Sequence, residues 1–407
     1  MKTKILYIAL VLIILSCSSK DDKAPINING GSARNNNYSH LGNFYDNIFS
    51  ITPIEMKDKS GGFQLPLVID NLRIVVTSVN GSVALLSEHK AVWEINLGQN
   101  QLVASGMAAD KDLNIYLITT DGEVRSYSIE GNLRWKYKDD QFINRQLLYD
   151  DLLCQNDGLL VATSSGTLIK LSFAGNRLWS YNHGMQTMLS FCSDRNGNIS
   201  FPATHNEFGK SDTLHRIKSD GKFSWKKGFE NIRFLSNPIT SGKVTIIPAS
   251  YDINEQNLYL IIALDENGKE IWRREINLMP RSLSSDDEGL VYVQASNSGY
   301  GESITGIFCL DQKGNIKWKQ YLDVKIPSPL ILGKDVVTFL GNRRNATGMF
   351  FLNKQDGVLI KSVSLSDAPP FNHKPFVMND PAICFLGLEK MFLIKIDDSA
   401  INKVLPW

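Results

Sequence analysis

Beyond the N-terminus, the apolar residues of this chain fall in short runs closed by turn-forming residues. Residues 157–162, 258–264, 290–294 and 305–310 are such runs, and Asp-Gly pairs punctuate the chain at Asp121-Gly122, Asp157-Gly158 and Asp220-Gly221. This is the pattern of short antiparallel strands joined by tight turns. Several runs open on proline, at Pro66, Pro238, Pro329 and Pro375. Proline is tolerated at the first position of a strand, where no ladder donor is lost.

The pattern repeats. Trp93, Trp135, Trp179, Trp225, Trp272 and Trp318 are spaced by 42, 44, 46, 47 and 46 residues. In five of these six, a glycine lies four residues earlier, at Gly131, Gly175, Gly221, Gly268 and Gly314. One unit reads strand, turn, strand, turn, strand, glycine turn, Trp strand. Four antiparallel strands in about 45 residues make a propeller blade, and a Trp ring fills the widening gap between neighbouring blades. The next Trp slot holds Lys361, four residues after Gly357, and the chain ends one repeat later at Trp407. Inner strands can be placed near Leu65, Ser105, Tyr149, Leu189, Leu235, Ser282, Ile326 and His373. The expectation is an all-β, eight-bladed propeller, with seven blades as the alternative. Residues 51–57 would be the outer strand of the last blade, closing the ring and removing an exposed edge.

The first residues depart from this pattern. Lys2 and Lys4 precede an apolar run over residues 5–15, then Ser16 and Cys17. A basic start, an apolar core of this length and a small residue before the cut describe a secretory signal over residues 1–16; a spanning helix needs about 20 apolar residues. Ile14-Leu15-Ser16-Cys17 resembles a lipobox, so Cys17 is expected to be lipidated and to begin the mature chain. Ser18-Ser19-Lys20-Asp21-Asp22-Lys23 resembles the short acidic export signal of surface lipoproteins in the Bacteroidetes. That implies a lipid-anchored protein of a Gram-negative outer membrane, facing the periplasm or the surface. Residues 17–50, rich in Asn, Ser and Gly, read as a flexible tether, and 51–407 as the propeller. The formal net charge of +1 gives no footprint for nucleic acid.

Ala263-Leu264-Asp265-Glu266-Asn267-Gly268-Lys269-Glu270-Ile271-Trp272 and Cys309-Leu310-Asp311-Gln312-Lys313-Gly314-Asn315-Ile316-Lys317-Trp318 resemble the repeat of the quinoprotein-like (PQQ-type) propellers. The resemblance covers residues 51–407 and is strongest in units two to six. It implies a fold shared by quinone-dependent dehydrogenases and by a lipoprotein of the outer-membrane barrel-assembly machinery. The dehydrogenases use adjacent cysteines, a calcium ion and an aspartate base. Here the cysteines stand at 17, 154, 192, 309 and 384, none adjacent to another, with no Cys-x-x-Cys-His. The six histidines show no zinc-ligand spacing. Asp139-Asp140 and Asp286-Asp287 read as solvated turn residues. No catalytic residue, metal or cofactor is expected. The mature cysteines read as buried thiols, with a Cys154–Cys192 bridge as the pairing to check.

Recognition is expected where loops are long. The second-to-third-strand connections lengthen at 205–212, 250–256, 296–303 and 341–347, all on one face. They supply His205, Phe208, Tyr251, Tyr300, Arg343 and Arg344; Arg145, Arg233, Arg281 and Lys325 lie nearer the axis on the same face. The expected function is a non-catalytic, membrane-anchored scaffold for envelope proteins, in the manner of outer-membrane assembly. A surface receptor for a glycan or peptide is the alternative, and a quinoprotein dehydrogenase the remote third.

Overall fold

The computed structural model describes residues 26–27, 48–54, 63–69, 73–78, 81–87, 90–98, 101–104, 106–139, 152–162, 166–183, 187–188, 191–204, 212–253, 256–297, 304–325, 327–333, 335–343, 346–364, 376–378, 382–386 and 391–396. Among these there is no helix, and the strands form eight antiparallel sheets. Sheets one to seven follow in chain order. Their outermost strands are Lys90–Asn96, Leu133–Lys138, Arg177–Asn182, Phe223–Gly228, Glu270–Ile276, Ile316–Asp323 and Leu359–Ser364. The eighth contains Phe376–Met378, Ala382–Leu386 and Met391–Ile396, with Ile48–Ile54 paired outside them in a register from Ile54↔Met391 to Ile48↔Ile396. Ile48–Ile54 starts before residue 51, and Ile26–Asn27 pairs with Ala108–Ala109 of the second sheet.

Burial explains the two kinds of apolar run. Middle strands such as Ile115–Ile118 and Gly158–Ala162 are buried at every position, because both faces of their sheet are covered. Outermost strands alternate; Leu133–Lys138 and Arg177–Asn182 bury only every other residue, and only partly. Each apolar cluster straddles two consecutive sheets. Tyr116 and Ile118 of the second meet Leu159 and Ile169 of the third, and Tyr292 and Cys309 of the sixth meet Val337 and Phe350 of the seventh. The core is thus a series of interfaces between successive sheets.

The tryptophans make those interfaces specific. Each lies against the glycine of the following sheet: Trp93 on Gly131, Trp135 on Gly175, Trp179 on Gly221, Trp225 on Gly268, Trp272 on Gly314 and Trp318 on Gly357. A Cβ at Gly268 would come within 2.7 Å of Trp225, and φ there is +79°, so the turn and the contact both require glycine. Each indole Nε1–H also donates to a carbonyl in the same neighbouring turn, from Trp93 to Ile129 O at 2.8 Å through Trp318 to Lys354 O at 3.0 Å. In all seven of these outermost strands the pairing slips by one residue just before the Trp position. The skipped residues are Val92, Arg134, Leu178, Ser224, Ile271, Lys317 and Ile360. Such a bulge re-aims the following side chain and blunts an edge strand.

Candidate binding face

The hairpins joining second to third strands rise on the face that also carries the connections between sheets. Two of the four segments expected as long loops are extended strands. Val244–Ile253 and Gln256–Leu264 pair up to Ile253↔Gln256, and Val336–Arg343 and Ala346–Asn353 up to Arg343↔Ala346. The extra length continues the ladder, so backbone groups that a free loop would leave to water are paired. Tyr251 accordingly sits within a strand, half-buried against a cluster containing Leu214, Phe229 and Ile232, and serves packing more than contact. Arg343 is exposed at its strand end. Cys17, Arg145, His205, Phe208, Tyr300 and Arg344 lie outside the described residues.

Register places the axial cations on one level. Ser250, Ser296 and Asn342 each stand four residues beyond the second-strand residue aligned, through the third strand, with the Trp slot of the outermost strand. On the innermost strands, Arg233 pairs with Ser250, Lys325 bridges to Asn342, and Arg281 Nε donates to Ser296 Oγ at 3.0 Å. All three are exposed, and no Asp or Glu occurs in residues 232–250, 278–285 or 324–333. In a propeller the innermost strands surround the central channel. The fourth sheet has Thr187 opposite Thr204 at this level, so the positive charge is confined to sheets five to seven among the described residues. A hollow of about 380 Å³ opens beside this arc, lined by Arg343, Thr347, Gly348, Phe350, Ser362 and Ser364.

Beneath the fourth hairpin lies an aromatic cluster in which His183 and His215 stand 5.9 Å apart with Phe201 and Tyr181 beside them. Burial lowers both imidazoles to about 4, with His215 adding to the effect on His183 and Lys226 to that on His215. They are neutral packing groups at ordinary pH.

On the opposite face, residues read as solvated acids prove structural. Asp286 is 7% exposed, accepts backbone N–H bonds from Glu288 and Leu290, and pairs with Lys354 Nζ at 3.0 Å and Tyr292 OH at 3.1 Å. Asp110 and Asp194 hold their own turns in the same way, and Asp194 also takes the buried Arg216 guanidinium. The sequence signal is an Asp ending the first strand, with Asn four residues on at Asn114 and Asn198. Asp139, at the end of an outermost strand and so on the hairpin face, is also engaged, by Tyr137 OH at 2.8 Å. Cys154, Cys192 and Cys309 are buried free thiols, so the Cys154–Cys192 bridge is not formed.

A profile of the λ-carrageenase β-propeller domain matches residues 114–223. No curated protein matches the sequence significantly. Among solved structures, BamB from Moraxella catarrhalis superposes with a TM-score of 0.62 at 13% identity, covering 85% of this chain and 99% of that one. The quinohemoprotein alcohol dehydrogenase from Comamonas testosteroni gives 0.62 at 11% identity, over 88% of this chain and 78% of the enzyme. The Dos1 propeller gives 0.58 at 12% identity, over 85% and 96%. The fold is therefore a β-propeller, similar to those of BamB and the quinohemoprotein dehydrogenase.

Proposed function

We propose that this chain is a lipoprotein anchored through Cys17 to the outer membrane, and that it acts as a non-catalytic scaffold for envelope proteins. In this reading the eight sheets are the blades of one ring, with Ile48–Ile54 completing the last blade. The observation that carries it is the one-sided build of the molecule. Tall hairpins and the cations Arg233, Arg281, Lys325 and Arg343 gather on one face. The bulged outer edges are poor templates for strand addition, so partners are assigned to the face and not to the rim. The resemblance to BamB supports a role in protein assembly, and the separated cysteines argue against a dehydrogenase that needs an adjacent pair. Affinity capture of the full lipoprotein from detergent-solubilised envelope tests this: recovery of outer-membrane assembly proteins in stoichiometric amount is expected, and recovery of none would refute it. The profile match to a carrageenase propeller supports a second reading, in which the same face engages a polysaccharide.

A further inference from the structure

We propose that the N-terminal segment threads the central channel as an inner strand of the second sheet, and so holds the glycine-turn face toward the bilayer. This rests on the lipid anchoring at Cys17 proposed above and adds which face the membrane meets. Ile26-Asn27-Ile28-Asn29 alternates apolar and polar residues, with Pro25 before it and Gly30-Gly31 after it, the signature of a short strand. Ile26–Asn27 pairs antiparallel with Ala108–Ala109, the innermost strand of the second sheet's own repeat. It also lies beside Leu152–Gln155, the innermost strand of the third sheet. Innermost strands surround the channel, so the added strand stands within it. Such a strand otherwise leaves a row of backbone groups to the channel, and here two of its residues gain partners.

The register gives the segment a direction. Ala108–Ala109 runs into the turn held by Asp110 on the glycine-turn face, so Ala109 is the residue nearer that face. Ile26 pairs with Ala109 and Asn27 with Ala108, so the chain enters from the glycine-turn face and climbs toward the hairpins. Cys17 lies nine residues before Ile26, and a chain of that length spans at most about 32 Å. The lipid is therefore leashed near the channel mouth on that face. The 20 residues between Asn27 and Ile48 can span about 70 Å, enough to return to the rim. Exposed apolar side chains crowd the same end of the molecule. Leu133, Leu178, Phe223, Ile271, Ile316 and Val358, 39–57% exposed, stand at or just before the start of the outermost strands, next to the glycine turns. A bilayer interface accommodates half-apolar surfaces of this kind. The hairpin face, with Arg281 and Arg343, is left pointing away from the membrane.

The test uses the full lipoprotein in vesicles of phosphatidylethanolamine and phosphatidylglycerol that contain a phospholipid with a diazirine in its headgroup. After photolysis, mass spectrometry should place lipid adducts in the peptides around Lys222 and Lys269, and none in those around Arg281 and Arg343. Ile26→Pro and Asn27→Pro together remove both N–H donors and fix φ away from the extended range. Hydrogen exchange of Ala108–Ala109 should then quicken about tenfold. Lipid adducts should also spread to the hairpin peptides, because a leash running from Ile48 reaches about 100 Å. A protein that carries no lipid on Cys17 and leaves the vesicles in high salt overturns the anchoring and the threading together. With the lipid confirmed, adducts in the hairpin peptides of the unsubstituted protein overturn the orientation while the anchoring stands. Exchange unchanged by the proline pair overturns the threading.

Discussion

Trp225 and Gly268 form one contact across two sheets, so replacing them singly and together should give energies that do not add. Trp225 is half-buried; taking about 150 Å² of buried ring at about 25 cal/mol/Å² gives roughly 4 kcal/mol. Its Nε1–H donates to Glu266 O at 2.9 Å, close to water, which adds about 0.5–1 kcal/mol. Relief of side-chain ordering returns about 1 kcal/mol, so Trp225→Ala should cost about 3–4 kcal/mol. Gly268→Ala should cost about 1 kcal/mol for a left-handed φ of +79° and a further ~1–3 kcal/mol to displace the ring 2.7 Å away. With the ring gone, only the backbone cost remains. The double variant should then lose about 4–5 kcal/mol, leaving a coupling of about 1–3 kcal/mol, the cost of displacing the ring. Urea denaturation followed by circular dichroism measures all four corners of the cycle. Additivity to within about 0.5 kcal/mol would refute the docking argument.

Cys17→Ala should move the protein from the membrane pellet to the soluble fraction, and its retention there after a high-salt wash would disprove lipid anchoring. Lys361 is exposed in the slot that Trp fills in the other sheets, so Lys361→Leu should shift stability by no more than about 0.5 kcal/mol by urea titration. His183 and His215 have folded pKa values near 4, below the ordinary 6.5, so the unfolded chain takes up more protons between those values. Stability should be complete above pH 6.5 and fall as pH drops toward 4, by about 1.4 kcal/mol per pH unit for each histidine. His215→Gln should flatten that slope in pH-dependent melting, and an unchanged slope would reject the assignment.

The repeat was legible because packing imposed it on the sequence. Tryptophans at near-equal spacing can arise only if each meets the same environment. The partner of each was also legible, though not at the spacing of four that first catches the eye. Glycine occupies the turn of the following sheet wherever a Trp precedes it, from Trp93 and Gly131 to Trp318 and Gly357. The strand before the first sheet in the ring, Ile48–Ile54, has no Trp. The hairpins were misjudged as loops because residues such as Asp252, Asn257 and Asn342 carry turn composition while the ladder runs through them. Asp286 was misjudged because its burial depends on Lys354, 68 residues away in the chain and on the next sheet.

The claim that the hairpin face docks envelope partners is tested most directly by photocrosslinking in intact cells. A photoreactive amino acid is placed at Arg343 on the hairpin face, and separately at Lys269 in a glycine turn on the other face. The account predicts one or more discrete adducts with outer-membrane proteins from position 343 and none from position 269. Adducts from 269 alone, or from neither position, would contradict it.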